Sequence, residues 1–192
     1  LFHSMGQTLQ MHLAFLSGAG LQLHPRFDPD FIVKTFAEKT ATIFIGVPSM
    51  FRQLLEIENR LDESIEKTLR LCICGGGTIS EEVLKSFEKD YKTYILECYT
   101  MVETAPVVSI NQWRSGRRVG SLGHPLPGVE MKVVDERDEE VAIGEVGEIL
   151  VKGSNVMQGY INRPKASAEI LRGGWFHSGD LGKMDINGFY YL

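Results

Sequence analysis

The run Leu69-Arg70-Leu71-Cys72-Ile73-Cys74-Gly75-Gly76-Gly77-Thr78-Ile79-Ser80-Glu81-Glu82 decides the fold. Its first part is a short apolar stretch of strand length, with Cys72 and Cys74 in alternation. Three glycines end it. Ser80 with Glu81 and Glu82 then marks a helix start, because a hydroxyl satisfies free N–H groups and acids offset the positive end of the helix dipole. The stretch reads as a strand, a glycine turn and a helix through Phe87, with a further strand over Thr93 to Glu97.

Toward the N-terminus the alternation repeats. Thr40 to Val47 is β-branched and almost wholly apolar, the pattern of a strand covered on both faces, and Pro48-Ser49 opens a helix predicted to run to about Asn59. Asp28-Pro29-Asp30 offers an N-cap, a proline at the first helical position and a first-turn acid. The helix that follows should reach about Lys39, with Phe31, Phe36 and Ala37 on its buried side. A short apolar run to Leu23, after Gly18 and Gly20, supplies an earlier strand. The order β-α-β-α-β-α-β predicts a parallel sheet with helices on its faces. In such sheets ligands collect at the carboxyl ends of strands, here Gly75 to Thr78 and Cys98 to Thr104.

Toward the C-terminus the composition changes. Residues 1–112 hold 7 of the 20 glycines and residues 113–192 hold the other 13. The second part is therefore expected to be rich in turns and short strands, a β-rich, barrel-like subdomain (113–192) after an α/β subdomain (1–112). Its predicted strands are Val129 to Val134 and Glu148 to Lys152, separated by an acidic turn over Asp135 to Glu140. A short helix over Lys165 to Leu171 ends at Gly173-Gly174. Asp185-Ile186-Asn187-Gly188 reads as the turn of a hairpin joining Leu181 to Met184 with Phe189 to Leu192.

The chain of 192 residues is 43% hydrophobic and 23% charged, an ordinary globular composition with enough length for a core. A net charge of −5 lacks the basic excess of a nucleic-acid binder. No apolar run approaches the ~20 residues of a membrane span and no signal pattern opens the chain, so no integral membrane segment and a cytoplasmic setting are expected. Cys72, Cys74 and Cys98 lack C-x-x-C spacing and a fourth ligand, and read as buried thiols.

Single motifs leave alternatives open. Gly75, Gly76 and Gly77 either lay a flat or anionic ligand against backbone amides or form a strained turn before Ser80. Glu103 is either a Mg²⁺ ligand at a strand's carboxyl end or a solvated acid. Asp180 can accept hydrogen bonds from a diol or close a turn. Neither G-x-x-x-x-G-K-[ST] nor a well-placed G-x-G-x-x-G occurs. His3 and His177 lack a G-x-S-x-G serine or a well-spaced Asp, which leaves hydrolase chemistry unsupported. His12 and His24 read as helix and strand-end residues.

The order of the motifs is more specific. Phe2-His3-x-x-Gly6, Gly75-Gly76-Gly77, Tyr99-x-Met101-x-Glu103-Thr104, Gly120-Ser121-Leu122-Gly123-x-Pro125-x-Pro127-Gly128, Gly147-Glu148-Ile149 with Gly153, Gly159-Tyr160, and Trp175-Phe176-x-Ser178-Gly179-Asp180 succeed one another over nearly the whole chain. The succession resembles the adenylate-forming acyl-CoA synthetase and luciferase superfamily. That resemblance implies two steps: a carboxylate, expected to be a fatty acid, attacks the α-phosphate of ATP, and coenzyme A takes the acyl group from the acyl-adenylate. It implies Glu103 as the Mg²⁺ ligand and Asp180 on the ribose hydroxyls. It further implies Tyr99 on the adenine, with Thr100 in the same nucleotide-binding segment, Gly75 to Gly77 along the adenine and acyl pocket, and His3 near the acyl carboxylate.

Departures from the pattern bear on this reading. Thr100 replaces the family's usual glycine and Val102 its threonine, and valine offers no hydroxyl to a phosphate oxygen. Glu97 replaces an amide side chain, and its charge would oppose ATP unless it is paired or turned away. Other readings are an amino-acid or aryl-acid adenylating domain that loads a carrier protein, and a non-catalytic member that only binds ligand; self-association into a homo-oligomer stays open. The resemblance also implies an internal piece of the large N-terminal domain. The phosphate loop would lie before Leu1, and the hinge and catalytic lysine after Leu192, so the piece alone is expected to show no ligase turnover.

Overall fold

Two side-chain caps set the helices around the first sheet. Asp28 accepts a hydrogen bond from the Phe31 N–H at 3.2 Å and opens α2 (Pro29–Ala37), after α1 (Leu13–Ser17). Ser80 accepts from the Val83 N–H at 3.3 Å and opens α4 (Glu81–Tyr91). The computed structural model describes residues 3–38, 40–57, 68–113 and 116–192. They form two compact units, residues 1–98 and 99–192.

In the first unit β1 (Ile43–Gly46), β2 (Leu71–Cys74) and β3 (Ile95–Thr100, which continues into the second unit) run parallel in that order. Ile43 pairs with Leu71 and Cys72 with Ile95. The predicted strand over Thr40 to Val47 is shorter than expected and not fully covered, since Ile43 is 41% exposed; among the described residues β1 pairs with β2 alone. α3 (Pro48–Leu55) begins at the expected proline; the predicted end at Asn59 lies outside the described residues. No strand forms at Leu21 to Leu23. The chain there has no regular structure, and it is preceded instead by a π-helix over Gly6–His12 that runs on into α1.

The core of this unit is aromatic. Phe36, Phe44, Phe51 and Phe87 meet edge to face with centroids 5.1–5.7 Å apart, and Phe87 stacks on Tyr91 at 4.1 Å. Each such ring contributes about 1.5–3 kcal/mol by leaving water. The Tyr91 hydroxyl would forfeit that gain if unpaired, and it donates to the Leu54 carbonyl at 2.8 Å. On α2 the buried face is Ile32, Val33 and Phe36. Phe31, predicted to be buried, is 46% exposed, because a helix starting at Pro29 turns it away from that face and onto His24.

The second unit, which begins at Tyr99, is β-rich, and its β5 to β9 all lie in the glycine-rich residues after 112. β4 (Val107–Ile110) pairs antiparallel with β5 (His124–Pro125). β6 (Val129–Val134), β7 (Gly147–Gly153), β8 (Phe176–Met184) and β9 (Tyr190–Tyr191) form an antiparallel sheet in sequence order, with α5 (Pro164–Ile170) between β7 and β8 along the chain. Asp185 Oδ1 accepts from the N–H groups of Asn187 at 2.8 Å and Phe189 at 3.1 Å, which fixes the hairpin the sequence marks. Val108, Ile149, Val151 and Phe176 fill its core with Tyr99. Parallel sheet with helices, then antiparallel strands: the α/β fold class is the one expected. Among the described residues no helix is long and apolar enough to cross a membrane.

Candidate functional site

β3 ends by delivering Tyr99 and Thr100 to the second unit, followed by a short 3-10 turn over Val102–Thr104. Tyr99 is 5% exposed, and its hydroxyl donates to Asp180 Oδ2. Burial, followed by this bond to an anion, holds the phenol well above its ordinary pKa, so Tyr99 remains a neutral donor. Asp180 does not sit in a turn, as one reading of its flanking glycines expects. It lies within β8, half-buried, with its carboxylate turned to the end of β3.

Glu103 stands in the 3-10 turn. Its Oε1 accepts from the Tyr160 hydroxyl at 2.8 Å, while Oε2 has no hydrogen-bond partner among the described residues. The bond to Glu103 raises the Tyr160 pKa. The turn is held from below: buried Thr104 donates to the carbonyls of Met101 at 3.1 Å and Pro106 at 2.9 Å. Asn155 Nδ2 donates to the carbonyls of Thr104 at 2.9 Å and Val107 at 3.3 Å. The Met157 N–H donates to the Glu103 carbonyl at 2.8 Å. Val102 points outward and is 64% exposed.

The second unit thus brings Tyr99, Thr100 and Glu103, at and after the end of β3, together with Asp180 of β8, through the Tyr99–Asp180 hydrogen bond. The remaining expected residues belong to the first unit. Gly75 follows β2, and its N–H donates to the Gly46 carbonyl at 3.2 Å, while Gly76 takes a left-handed φ of +74°. A side chain on Gly76 or Gly77 would touch Val47 or Pro48 in ordinary contact, so the loops after β1 and β2 lie side by side at their carboxyl ends. His3 is exposed, and its Nδ1 accepts from the Met5 N–H at 3.2 Å, at the start of the π-helix. Glu97 is buried in β3 and raises the pKa of Cys74 and Cys98, for both of which burial is the larger cause; the Cys98 thiol is pushed up to about 12. All three cysteines are free, buried thiols.

Sequence reasoning missed two supports. Tyr160 stands in a quoted motif, yet nothing in its spacing signals a bond to Glu103. Glu148 likewise gives no sign of its neighbours: Oε1 accepts from the Gly179 N–H at 2.9 Å and Oε2 lies 3.0 Å from His177 Nδ1. Asp138 adjoins them, held below the usual carboxylate range by its hydrogen bonds to Arg172 at 3.0 and 3.1 Å. Asp138, Glu148 and His177 come close enough to ligate a cation, but the guanidinium of Arg172 already serves as the counter-charge of both carboxylates.

Comparison with known proteins shows the family and the fold. The family model described as AMP-binding enzyme matches residues 1–161. The chain is 39% identical over 194 residues to a long-chain-fatty-acid–CoA ligase of Salmonella typhimurium, covering 98% of this chain and 34% of that protein. It is 33% identical to a feruloyl-CoA synthase of an Amycolatopsis species, covering 100% of this chain and 39% of the other. Among solved structures, ATP-bound MatB from Rhodopseudomonas palustris superposes with a TM-score of 0.91 at 32% identity, over 98% of this chain and 37% of that one. The fold is that of adenylate-forming enzymes. The chain belongs to the AMP-binding enzyme family, and it spans about a third of the length of the curated relatives it matches.

Proposed function

We propose that the chain is part of the adenylating domain of an ATP-dependent acid–thiol ligase. A carboxylate oxygen attacks the α-phosphorus of ATP, the bond to pyrophosphate breaks, and the acyl group of the resulting acyl-adenylate passes to the thiol of coenzyme A with release of AMP. The observation that carries this reading is the Tyr99–Asp180 pair at the end of β3, in a chain of the AMP-binding family. A carboxylate oriented by a neutral phenol and still partly open to solvent suits the paired O–H donors of a ribose. Tyr99 then offers its ring to the adenine and Thr100 borders the nucleotide. Gly75, Gly76 and Gly77 leave backbone against the adenine and acyl group, and His3 serves near the acyl carboxylate.

Glu103 fits the metal. One oxygen is fixed by Tyr160 and the other has no hydrogen-bond partner among the described residues, and carboxylate oxygen is the ligand Mg²⁺ takes beside substrate phosphates. When bound, Mg²⁺ offsets charge on the phosphates as pyrophosphate departs. Tyr160 and the Asn155-held turn keep the Glu103 carboxylate in one orientation.

A fatty acid is the acyl substrate we assign, supported by the likeness to the long-chain-fatty-acid–CoA ligase. The likeness to a feruloyl-CoA synthase supports an aryl acid as the second reading. In the full-length protein, fatty, aryl and amino acids are supplied with ATP and either coenzyme A or a carrier protein. AMP release that needs a fatty acid and coenzyme A supports the assignment, whereas dependence on an aryl or amino acid overturns the substrate. Nucleotide binding without any acyl-adenylate overturns the ligase and leaves a ligand-binding member.

A further inference from the structure

The β7–β8 ladder is interrupted at the residue the proposed function depends on. Glu148 pairs with Leu181 and Leu150 with His177, so Ile149 alone faces Ser178, Gly179 and Asp180. The surplus residues bulge out of the ladder and lose its regular hydrogen bonds. Gly179 makes the bend with a φ of +75°, where a side chain would be strained. Two side chains replace the missing ladder bonds. Ser178 Oγ donates to the Ile149 carbonyl at 2.6 Å and accepts from the Asp180 N–H at 3.1 Å. Glu148 Oε1 accepts from the Gly179 N–H at 2.9 Å, and Oε2 is held by His177 Nδ1 at 3.0 Å and Arg172 at 3.8 Å.

We propose that Glu148 is a positioning residue for Asp180: its carboxylate clamps the bulge on both sides of Ser178 and thereby fixes where the Asp180 carboxylate meets a ribose. The inference rests on the reading of Asp180 as the ribose ligand. A bulge has several ways to place its apex, and Glu148, bonded to the N–H of the residue before Asp180, selects one of them without touching substrate. An anion suits the clamp because the Gly179 N–H and the Arg172 guanidinium both face it. Glu148→Gln would keep an acceptor for Gly179 and replace by an amide the anionic oxygen that faces His177 and Arg172.

The test compares ATP with 2′,3′-dideoxy-ATP in the full-length protein, because a loss of ribose contacts shows in their ratio and a general loss of stability does not. Glu148→Ala should raise the KM for ATP about tenfold, short of the ~100-fold cost of a full misplacement by roughly 1 Å, and leave the KM for the dideoxy nucleotide nearly unchanged. Glu148→Gln should keep most of the preference for ATP. Asp180→Ala reports on the underlying reading: if it retains the preference, the ribose assignment fails. If Asp180→Ala loses the preference and Glu148→Ala keeps it, the positioning role is overturned. Should Glu148→Ala not fold, Ser178→Ala removes the other support of the bulge and should shift the same ratio; an unshifted ratio there counts equally against the proposal.

Discussion

The Tyr99 hydroxyl donates a hydrogen bond to Asp180 Oδ2, joining residues 81 positions apart in the sequence. The end of β3 and the bulge of β8 thus meet through one neutral donor and one acid, and the stability of that meeting depends on protonation.

Alkaline pH should weaken the second unit. Burial and the bond to Asp180 raise the Tyr99 pKa, and burial followed by Glu140 pushes Tyr190 up to about 12. The folded state therefore holds these protons more tightly than the unfolded chain. Their contribution is complete below the unfolded value of ~10 and declines as pH rises through the folded values. Denaturant midpoints measured against pH should fall from about pH 10, less steeply in Tyr190→Phe. Equal steepness in the two proteins would contradict the assignment. Tyr99→Phe, which leaves Asp180 without its donor, should cost about 1.5 kcal/mol at neutral pH.

Gly123 and Gly120 should respond unequally to alanine. Both have positive φ, +76° and +81°, a cost of about 1–2 kcal/mol for a residue with a side chain. A Cβ on Gly123 would also fall 2.0 Å from the Ile110 carbonyl carbon, whereas Gly120 has nothing within 4 Å. Gly123→Ala should lose more than about 4 kcal/mol or fail to fold, and Gly120→Ala should lose only the backbone cost. Similar melting temperatures for the two variants would refute the packing described for β4 and β5.

The thiols should be silent in the folded protein. Cys72, Cys74 and Cys98 are buried, and burial raises the pKa of each. Iodoacetamide at pH ~8, close to the free thiol pKa, should label none of the three before denaturation and all of them after it. Rapid labelling of the native protein would place a cysteine at the surface.

Val102 offers a gain-of-function test. It is exposed in the turn that carries Glu103, where the superfamily pattern has a hydroxyl. Val102→Thr should lower the KM for ATP about fivefold, the worth of one hydrogen bond near 1 kcal/mol, with little change in melting temperature. An unchanged KM would mean that the turn does not face the phosphates.

Much of this arrangement is legible in the sequence where the signal is local. Ser80 and Asp28 cap the helices they precede because capping needs only residues a few positions apart, and Asp185 announces its hairpin for the same reason. The N-terminal helices are not legible: they lack a side-chain cap, and Phe15 and Leu16 face outward, so apolar residues do not mark a buried stripe. The strand expected at Leu21 to Leu23 has only two apolar residues, on either side of Gln22, too few to carry a ladder. The flanking glycines leave Asp180 open to either a turn or a diol-binding role, because no local signal shows that Gly179 makes a bulge while Gly182 stays paired with Gly147. Glu148 and Tyr160 depend on register, since their partners lie 29 to 57 positions away and no spacing rule reaches that far.

Acid-dependent exchange of pyrophosphate into ATP, measured in the full-length protein and in Asp180→Ala, tests the central claim most directly. The account predicts exchange in the wild-type protein that requires a carboxylic acid, and in Asp180→Ala a KM for ATP raised at least tenfold, in line with the loss of hydrogen bonds to a charged acceptor worth about 1.5–3 kcal/mol. Exchange with the same KM for ATP in both proteins, or none with any acid in the wild type, would contradict it.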